Sequence, residues 1–207
     1  MHLSRWPKSA SALVRFAFAL MLLVPLGALS ASRAEAQTSR AGLVSRLIEP
    51  LEFPYLSHLG RLVIPVAEVE AHQLRDSYHQ GRGGGRVHKA IDIHAQRGTP
   101  VLAVADGKIL KLYTKGSGGN SIYHLDRDGR TRYYYAHLER FAADLRDGAE
   151  VKKGEVIGFV GDTGNATPGD YHLHFSIALL PNLDRWWEGE NLNPYPLLKQ
   201  AARAGQK

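Results

Sequence analysis

Two short segments carry side chains able to hold a metal ion: His88-Lys-Ala-Ile-Asp92 and His172-Leu-His174. Successive side chains of an extended strand alternate between its two faces. On strands, positions 88, 90 and 92 would share one face, and so would 172 and 174. Ile91 and Ile93 are β-branched and alternate with the polar positions, which favours a strand over a helical i,i+4 pair. Leu173 and Phe175 flank His174 in the same way. The two motifs together offer three histidines and a carboxylate, the ligand types of a catalytic zinc site. The chain has no cysteine, so zinc here would be bound by nitrogen and oxygen, and a thiol nucleophile is excluded. Buried imidazoles and carboxylates need partners, and one shared cation would satisfy several at once.

The elements that would position these residues read as β. Between Val87 and Ile177, short apolar and β-branched runs are set off by glycine. Strands are expected over Ala90–Ile93, Thr99–Val104, Lys108–Tyr113, Ser121–Leu125, Thr131–Ala136, Glu155–Val160 and Leu173–Ala178. Turns fall at Ala105-Asp-Gly107, Gly116-Ser-Gly-Gly-Asn120, Asp126-Arg-Asp-Gly129 and Gly161-Asp-Thr-Gly164. Short strands at this spacing indicate an antiparallel sandwich or barrel. Tyr133 and Tyr135 share a face and are expected in the core. His79-Gln-Gly-Arg-Gly-Gly-Gly-Arg86 reads as a loop beside the first motif; it lacks the lysine and following helix of a phosphate-binding loop. Phe141 to Leu145 reads as one helical turn, and Asn191-Leu-Asn-Pro-Tyr-Pro196 as an extended tail crossing the domain. His94 shares the 88/92 face but is expected not to be a ligand, and His79 to have no role. His2, His58, His72 and His124 read as surface or packing residues.

The 207-residue length allows one domain plus extensions, with a core that needs no disulfides. The N-terminus reads as a secretory signal. Arg5, Lys8 and Arg15 precede an apolar stretch from Phe16 to Leu29, and Ala34-Glu35-Ala36 offers a cleavage site before Gln37. That stretch is short for a membrane span and is interrupted by Pro25 and Gly27. The formal net charge is +6; residues 1–36 hold four basic residues and one acidic residue, or +3, which leaves +3 for the remainder. A mildly basic chain suits an anionic polymer and gives little support for nucleic-acid binding. Residues 37–71 read as an N-terminal extension, with a short helix over Ala41 to Leu51 ended by Pro50 and Pro54. Leu62-Val-Ile-Pro65 reads as an edge strand where the folded domain begins, and residues 198–207 as a frayed tail.

The run Gly85-Arg-Val-His88-Lys-Ala-Ile-Asp92-Ile93, then Arg97-Gly-Thr-Pro-Val101 and Ala105-Asp-Gly-Lys-Ile109, resembles the lysostaphin/LytM-type zinc endopeptidases. Tyr135-Ala-His137-Leu138, Val151-Lys-Lys-Gly-Glu-Val-Ile-Gly158, Gly161-Asp-Thr-Gly-Asn165 and His172-Leu-His174-Phe175 continue the likeness in the same order, so that it spans about residues 72–197. The resemblance implies a mainly β fold, an antiparallel barrel-sandwich of the duplicated hybrid motif, here with a short N-terminal helix. It implies one zinc per chain held by His88, Asp92 and His174, with His137 and His172 as catalytic bases beside the metal. There is no His-Glu-x-x-His motif, so histidine would do the proton transfer usual for a glutamate. It further implies a periplasmic or secreted monomeric hydrolase of peptidoglycan peptides, with no stable membrane insertion once the signal is cleaved. Two departures stand out. Ala90 replaces the family's usual glycine and is expected to face the cleft. Ala166-Thr-Pro-Gly-Asp-Tyr171 replaces the commoner serine-threonine-glycine-proline run at the cleft border.

Overall fold

The apolar runs between glycine turns become strands in the computed structural model, which describes Leu59 and residues 61–204. The expected signal segment and the helix expected over 41–51 lie outside the described residues. The strands are β1 (Gly81–Arg82), β2 (Arg86–Val87), β3 (Ile91–His94), β4 (Pro100–Leu102), β5 (Gly107–Tyr113), β6 (Asn120–Asp126), β7 (Thr131–Phe141), β8 (Glu150–Val151), β9 (Val156–Val160), β10 (His172–Leu179) and β11 (Glu190–Leu192). One helix follows, α1 (Pro194–Ala204).

Strands β3 to β11 form one antiparallel sheet that does not close, with the order β11-β10-β7-β6-β5-β8 along its main path. β3 joins the edge of β10, β9 joins β7, and β4 joins β9. β10 is the hub, because it pairs with β3, β7 and β11 at once. Its register sets His174 opposite Asp92 and His172 opposite His94 on β3, and His174 opposite Ala136 on β7. The period-two rule then puts both rungs on one face.

The other face builds the core. Tyr133 pairs with Ile177 and Tyr135 with Phe175 across β7 and β10, and all four are fully buried. Each large aromatic removes roughly 150–250 Å² from water, and its polar end must still be satisfied. Tyr133 donates to Asp126 Oδ2 at 2.6 Å, and the Tyr135 hydroxyl accepts from the Val104 N–H at 3.1 Å. Tyr134, on the opposite face, lines the cleft described below. Leu59, Leu62 and Val66 complete the core from a segment lying along β4: Val63 N–H bonds Val104 O, and Leu102 N–H bonds Pro65 O.

Three expectations change. The loop expected over residues 79–86 holds most of a short hairpin, β1–β2, which spans residues 81–87; Gly84 and Gly85 take φ of 74° and 73° in its turn, a conformation that glycine adopts freely. Phe141 ends β7 as a strand residue and is followed by a turn, with Asp144 in a left-handed conformation. The segment read as an extended tail holds β11 and the start of α1, and the helix continues through residue 204 instead of fraying from 198. Asn193 caps α1 by accepting the Tyr195 N–H at 2.9 Å, and Pro194 fits the first helical position, where no N–H is needed. Leu198 enters the core and Lys199 Nζ donates to the Ala71 carbonyl at 3.0 Å, which anchors the helix.

His124 supplies a test of this packing. It is fully buried beside the Tyr135 hydroxyl, and burial pushes its pKa down to about 4. Near pH 7 the ring is neutral whether the chain is folded or not. As pH falls below ~6.5, the unfolded chain takes up a proton that the folded one refuses, so stability drops until about pH 4. The loss at that point is roughly 3 kcal/mol, at ~1.4 kcal/mol per pKa unit. The urea midpoint of the protein should fall across this window, and His124→Leu should flatten that fall; parallel curves would refute the assignment. A second test is Gly161→Ala. The added Cβ would lie 2.4 Å from the Glu139 backbone nitrogen, so urea unfolding should show a loss of about 1–3 kcal/mol.

Candidate active site

His88, Asp92, His137, His172 and His174 all line one cleft of about 370 Å³. β10 and β3 supply His174, His172 and Asp92, while β7 supplies His137. His88 comes from the connection between β2 and β3 rather than from a strand, so its alignment with Asp92 owes nothing to strand alternation. Ala90 is buried and does not line the cleft, contrary to the expectation from that alternation.

The donor atoms of three residues converge. His88 Nε2 lies 3.1 Å from His174 Nδ1 and 3.3 Å from Asp92 Oδ1, and His174 Nδ1 lies 3.1 Å from Asp92 Oδ1. His88 Nδ1 is 2.8 Å from the Ser77 carbonyl, which can only accept, so the proton of that ring sits on Nδ1 and Nε2 carries a lone pair. Three basic atoms thus face one another where hydrogen bonding can satisfy only part of them. Tetrahedral zinc with nitrogen and oxygen ligands at ~2.0–2.1 Å has ligand-to-ligand edges of about 3.3 Å. The triangle of 3.1–3.3 Å fits that ion.

Electrostatics agree with a cation site. Burial alone would raise the Asp92 pKa, but contacts with His174, His88 and Arg82 outweigh it and hold the carboxylate ionised well below the usual range. Burial lowers the His174 pKa, with Asp92 opposing, so this imidazole favours its neutral, metal-competent form. Asp92 is further held by its backbone N–H, which donates to Ser77 Oγ at 3.0 Å, and by the Arg82 guanidinium on Oδ2. Oδ1 is left for the triangle.

The other two histidines stand beside it. The His137 and His172 rings are 5.0 Å apart between centroids, and His137 is 5.7 Å from His174. His137 Nδ1 donates to the Thr163 carbonyl at 2.7 Å, and His172 Nδ1 to the Asp170 carbonyl at 2.7 Å. Both rings therefore present an Nε2 lone pair; that of His172 lies 4.0 Å from Asp92 Oδ1. Burial lowers the His137 pKa and keeps it neutral. Its backbone has φ of 62°, a left-handed conformation uncommon outside glycine, and its N–H donates to Gly118 O at 2.8 Å. Gly164, with φ of 81°, packs so tightly that a Cβ would lie 2.3 Å from Ser117 O, and this contact fixes the turn that carries Thr163.

Among the described residues, two further histidines lie near these elements. His79 packs edge-on against Tyr78 and does not line the cleft. His94 is exposed, 3.4 Å from Asp170. Arg82, Arg86 and Lys89 form a basic rim on one side of the cleft, while Ala166, Thr167 and Asp170 border the other. Sequence reasoning missed Ser77, Thr163 and Asp170 as partners because each meets its histidine through a main-chain carbonyl. Arg82 carried a weak signal, lying ten positions before Asp92 in the glycine-rich hairpin.

Residues 86–194 match the model of peptidase family M23, more than half of the chain. The chain is 41% identical over 125 residues to glycyl-glycine endopeptidase ALE-1 of Staphylococcus capitis, a match covering 60% of this chain and 32% of that protein. It is 29% identical over 165 residues to the L-Ala–D-Glu endopeptidase of Bacillus subtilis, covering 76% of this chain and 49% of the relative. The catalytic domain of the antimicrobial peptidase lysostaphin from Staphylococcus simulans superposes with a TM-score of 0.52 at 31% identity, covering 62% of this chain and 95% of that domain. The matched region thus spans about a third to a half of the two full-length relatives. With the family's residues and fold both present, this chain belongs to peptidase family M23.

Proposed function

We propose that this protein is an exported zinc-dependent endopeptidase that hydrolyses peptide bonds in the cross-links or stems of peptidoglycan. The observation that carries the reading is the triangle of His88 Nε2, Asp92 Oδ1 and His174 Nδ1 with two lone-pair Nε2 atoms beside it. His88, Asp92 and His174 would hold one zinc, and three protein donors leave the further position that a catalytic site requires. When bound, zinc supplies a Lewis acid that polarises the scissile carbonyl and makes water nucleophilic near neutral pH.

The chain's own residues perform the rest. His137 and His172 each keep Nδ1–H engaged with a carbonyl, so Nε2 is free to accept a proton from the attacking water. An imidazolium formed at His172 would face the Asp92 carboxylate. The same nitrogen can then return the proton to the leaving amine. Either imidazolium can also donate to the oxyanion that develops on the substrate carbonyl. The wall peptide as substrate is supported by the relatives, one named for a glycyl-glycine bond and one for an L-Ala–D-Glu bond. The basic rim of Arg82, Arg86 and Lys89 suits peptides bearing carboxylates.

Export rests on the basic, apolar and small-residue order of residues 1–36. Among the described residues no helix is long and apolar enough to cross a membrane. The mature protein would carry an extension over 37–71 and a peptidase domain over 72–197, act as a monomer, and bind no nucleic acid.

Dipicolinate treatment should abolish hydrolysis of purified peptidoglycan, and one equivalent of zinc should restore it; full activity in metal-free protein would sink the reading. His174→Ala should lose near-stoichiometric zinc by elemental analysis together with activity. His137→Ala and His172→Ala should instead keep the metal and lose roughly 10²–10⁴ in kcat. Retained kcat in both variants would remove them from the reaction. Mass spectrometry of muropeptides should show new products cut within peptides, and unchanged glycan strands.

A further inference from the structure

An aromatic row leads from the cleft across the sheet face to a loop that the proposed reaction does not use. Tyr134 on β7 lines the cleft, its ring edge-on to His174 at 6.2 Å between centroids. Tyr123, its partner across the β6–β7 ladder, follows at 4.6 Å. Trp186, from the connection between β10 and β11, stands edge-on to Tyr123 at 4.6 Å, and Trp187 stands edge-on to Trp186 at 5.3 Å. Trp187 is 54% exposed, the highest value among the described large apolar side chains, and Leu183 of the same loop is 49% exposed. The loop is tied to the sheet. Arg132 on β7 is buried beside Tyr123 and donates through Nη1 to the carbonyls of Trp186 at 3.3 Å and Glu188 at 3.4 Å. A buried guanidinium requires such acceptors, so strand and loop hold each other in place.

We infer that this loop is a sugar subsite: pyranose rings of the glycan strand stack on Trp187 and Trp186 while the attached peptide lies in the cleft. The inference rests on the proposed peptidoglycan substrate. In that polymer each stem peptide is joined to a strand of N-acetylated hexoses, so a cleft that receives the peptide has sugar close by. The aromatic row begins at the cleft wall and ends in an exposed indole, which gives the sugar a surface continuous with the cleft. The chemistry also matches. A pyranose carries C–H groups on its faces and hydroxyl and acetamido groups around its edge. An indole is a flat, rigid apolar plate with one N–H donor, and it loses little freedom on binding. Asn182, Asp184 and Arg185, all exposed, and Glu188 belong to the same loop and offer hydrogen-bonding groups for the ring edge.

Two other occupants fit less well. An anionic membrane surface favours clustered lysine and arginine, whereas residues 181–190 hold three acids (Asp184, Glu188, Glu190) and one base, Arg185. A second copy of this chain would have to cover about 800 Å² on each partner. One exposed indole and one leucine supply a fraction of that, since a large aromatic buries roughly 150–250 Å². A single sugar ring needs no larger plate than one indole.

Trp187→Ala tests this, since removing an exposed indole leaves the core intact. Two substrates are compared: cross-linked muropeptides that keep their disaccharide, and the same peptides after an amidase has removed it. The wild type should show a KM about tenfold lower on the sugar-linked form, with similar kcat. Trp187→Ala should erase that preference, and Trp187→Tyr, which keeps a flat ring, should hold most of it. Binding is read separately by fluorescence, because Trp186 and Trp187 are two of the three tryptophans, the third being Trp6. Chitotetraose, a linear tetramer of N-acetylglucosamine, should shift the emission of the wild type and do so far less in Trp187→Ala. Equal KM on the two substrates in the wild type, or a preference that survives in Trp187→Ala, would overturn the subsite. An emission shift with phosphatidylglycerol vesicles and none with chitotetraose would overturn it in favour of a membrane contact. Dimers in sedimentation that Trp187→Ala dissolves would overturn it in favour of self-association. Chitotetraose binding through Trp187 in protein that cuts neither substrate would overturn the proposed function and leave the sugar subsite standing.

Discussion

Three hydrogen bonds from imidazole Nδ1–H groups to main-chain carbonyls govern this site. Ser77, Thr163 and Asp170 each accept from one histidine: His88, His137 and His172 in turn. A single such bond contributes only about 1 kcal/mol net to stability. Its larger effect is on identity. A neutral imidazole has two tautomers with opposite chemistry, and a carbonyl on one nitrogen selects which nitrogen offers a lone pair. Because the acceptors belong to the main chain, their positions follow from the fold itself. His174, the one ring of the group that offers Nδ1 to the triangle, has its place fixed by the β10 register instead.

The fold supplies those carbonyls by packing glycine turns against strand ends. The Gly161-Asp-Thr-Gly164 turn sits on the Gly116–Gly119 loop so closely that Gly119 and Gly164 have no room for a side chain, and Thr163 is pressed towards β7. Its hydroxyl donates to Leu138 O at 2.7 Å and accepts from Asn120 N–H at 3.0 Å, while its carbonyl faces His137. Meanwhile the alternation along β7 sends Tyr133 and Tyr135 into the core and Tyr134 to the cleft. One strand therefore carries both the packing that holds the sheet together and the wall of the site.

Much of this was written in local pattern. Period-two alternation around Ile91, Leu173 and Phe175 marked the strands, and glycine clusters marked the turns, because both signals reside in neighbouring residues. The five cleft residues, His88, Asp92, His137, His172 and His174, were legible by type and by order. Their partners were not. Ser77, Thr163 and Asp170 act through carbonyl oxygens, which every residue has, so no side-chain pattern marks them. Alternation also misled where it was extended too far: His88 and Ala90 precede β3, and although His88 does meet Asp92, Ala90 is buried away from the cleft. The C-terminal helix was misread because two prolines suggested extended chain, whereas Asn193 followed by Pro194 is a start signal when read as cap and first position.

The two walls of the cleft differ in how they are held. β10 is gripped by three neighbouring strands and buries Leu173, Phe175 and Ile177 completely. The β1–β2 hairpin rests on two residue pairs, and none of its residues is buried. Local opening costs least where few apolar contacts must break. Opening on the β10 side would therefore break far more apolar packing than opening at the hairpin, which the Arg82–Asp92 ion pair ties to the site. The cleft is thus bounded by one wall built into the core and one that rests on its surface.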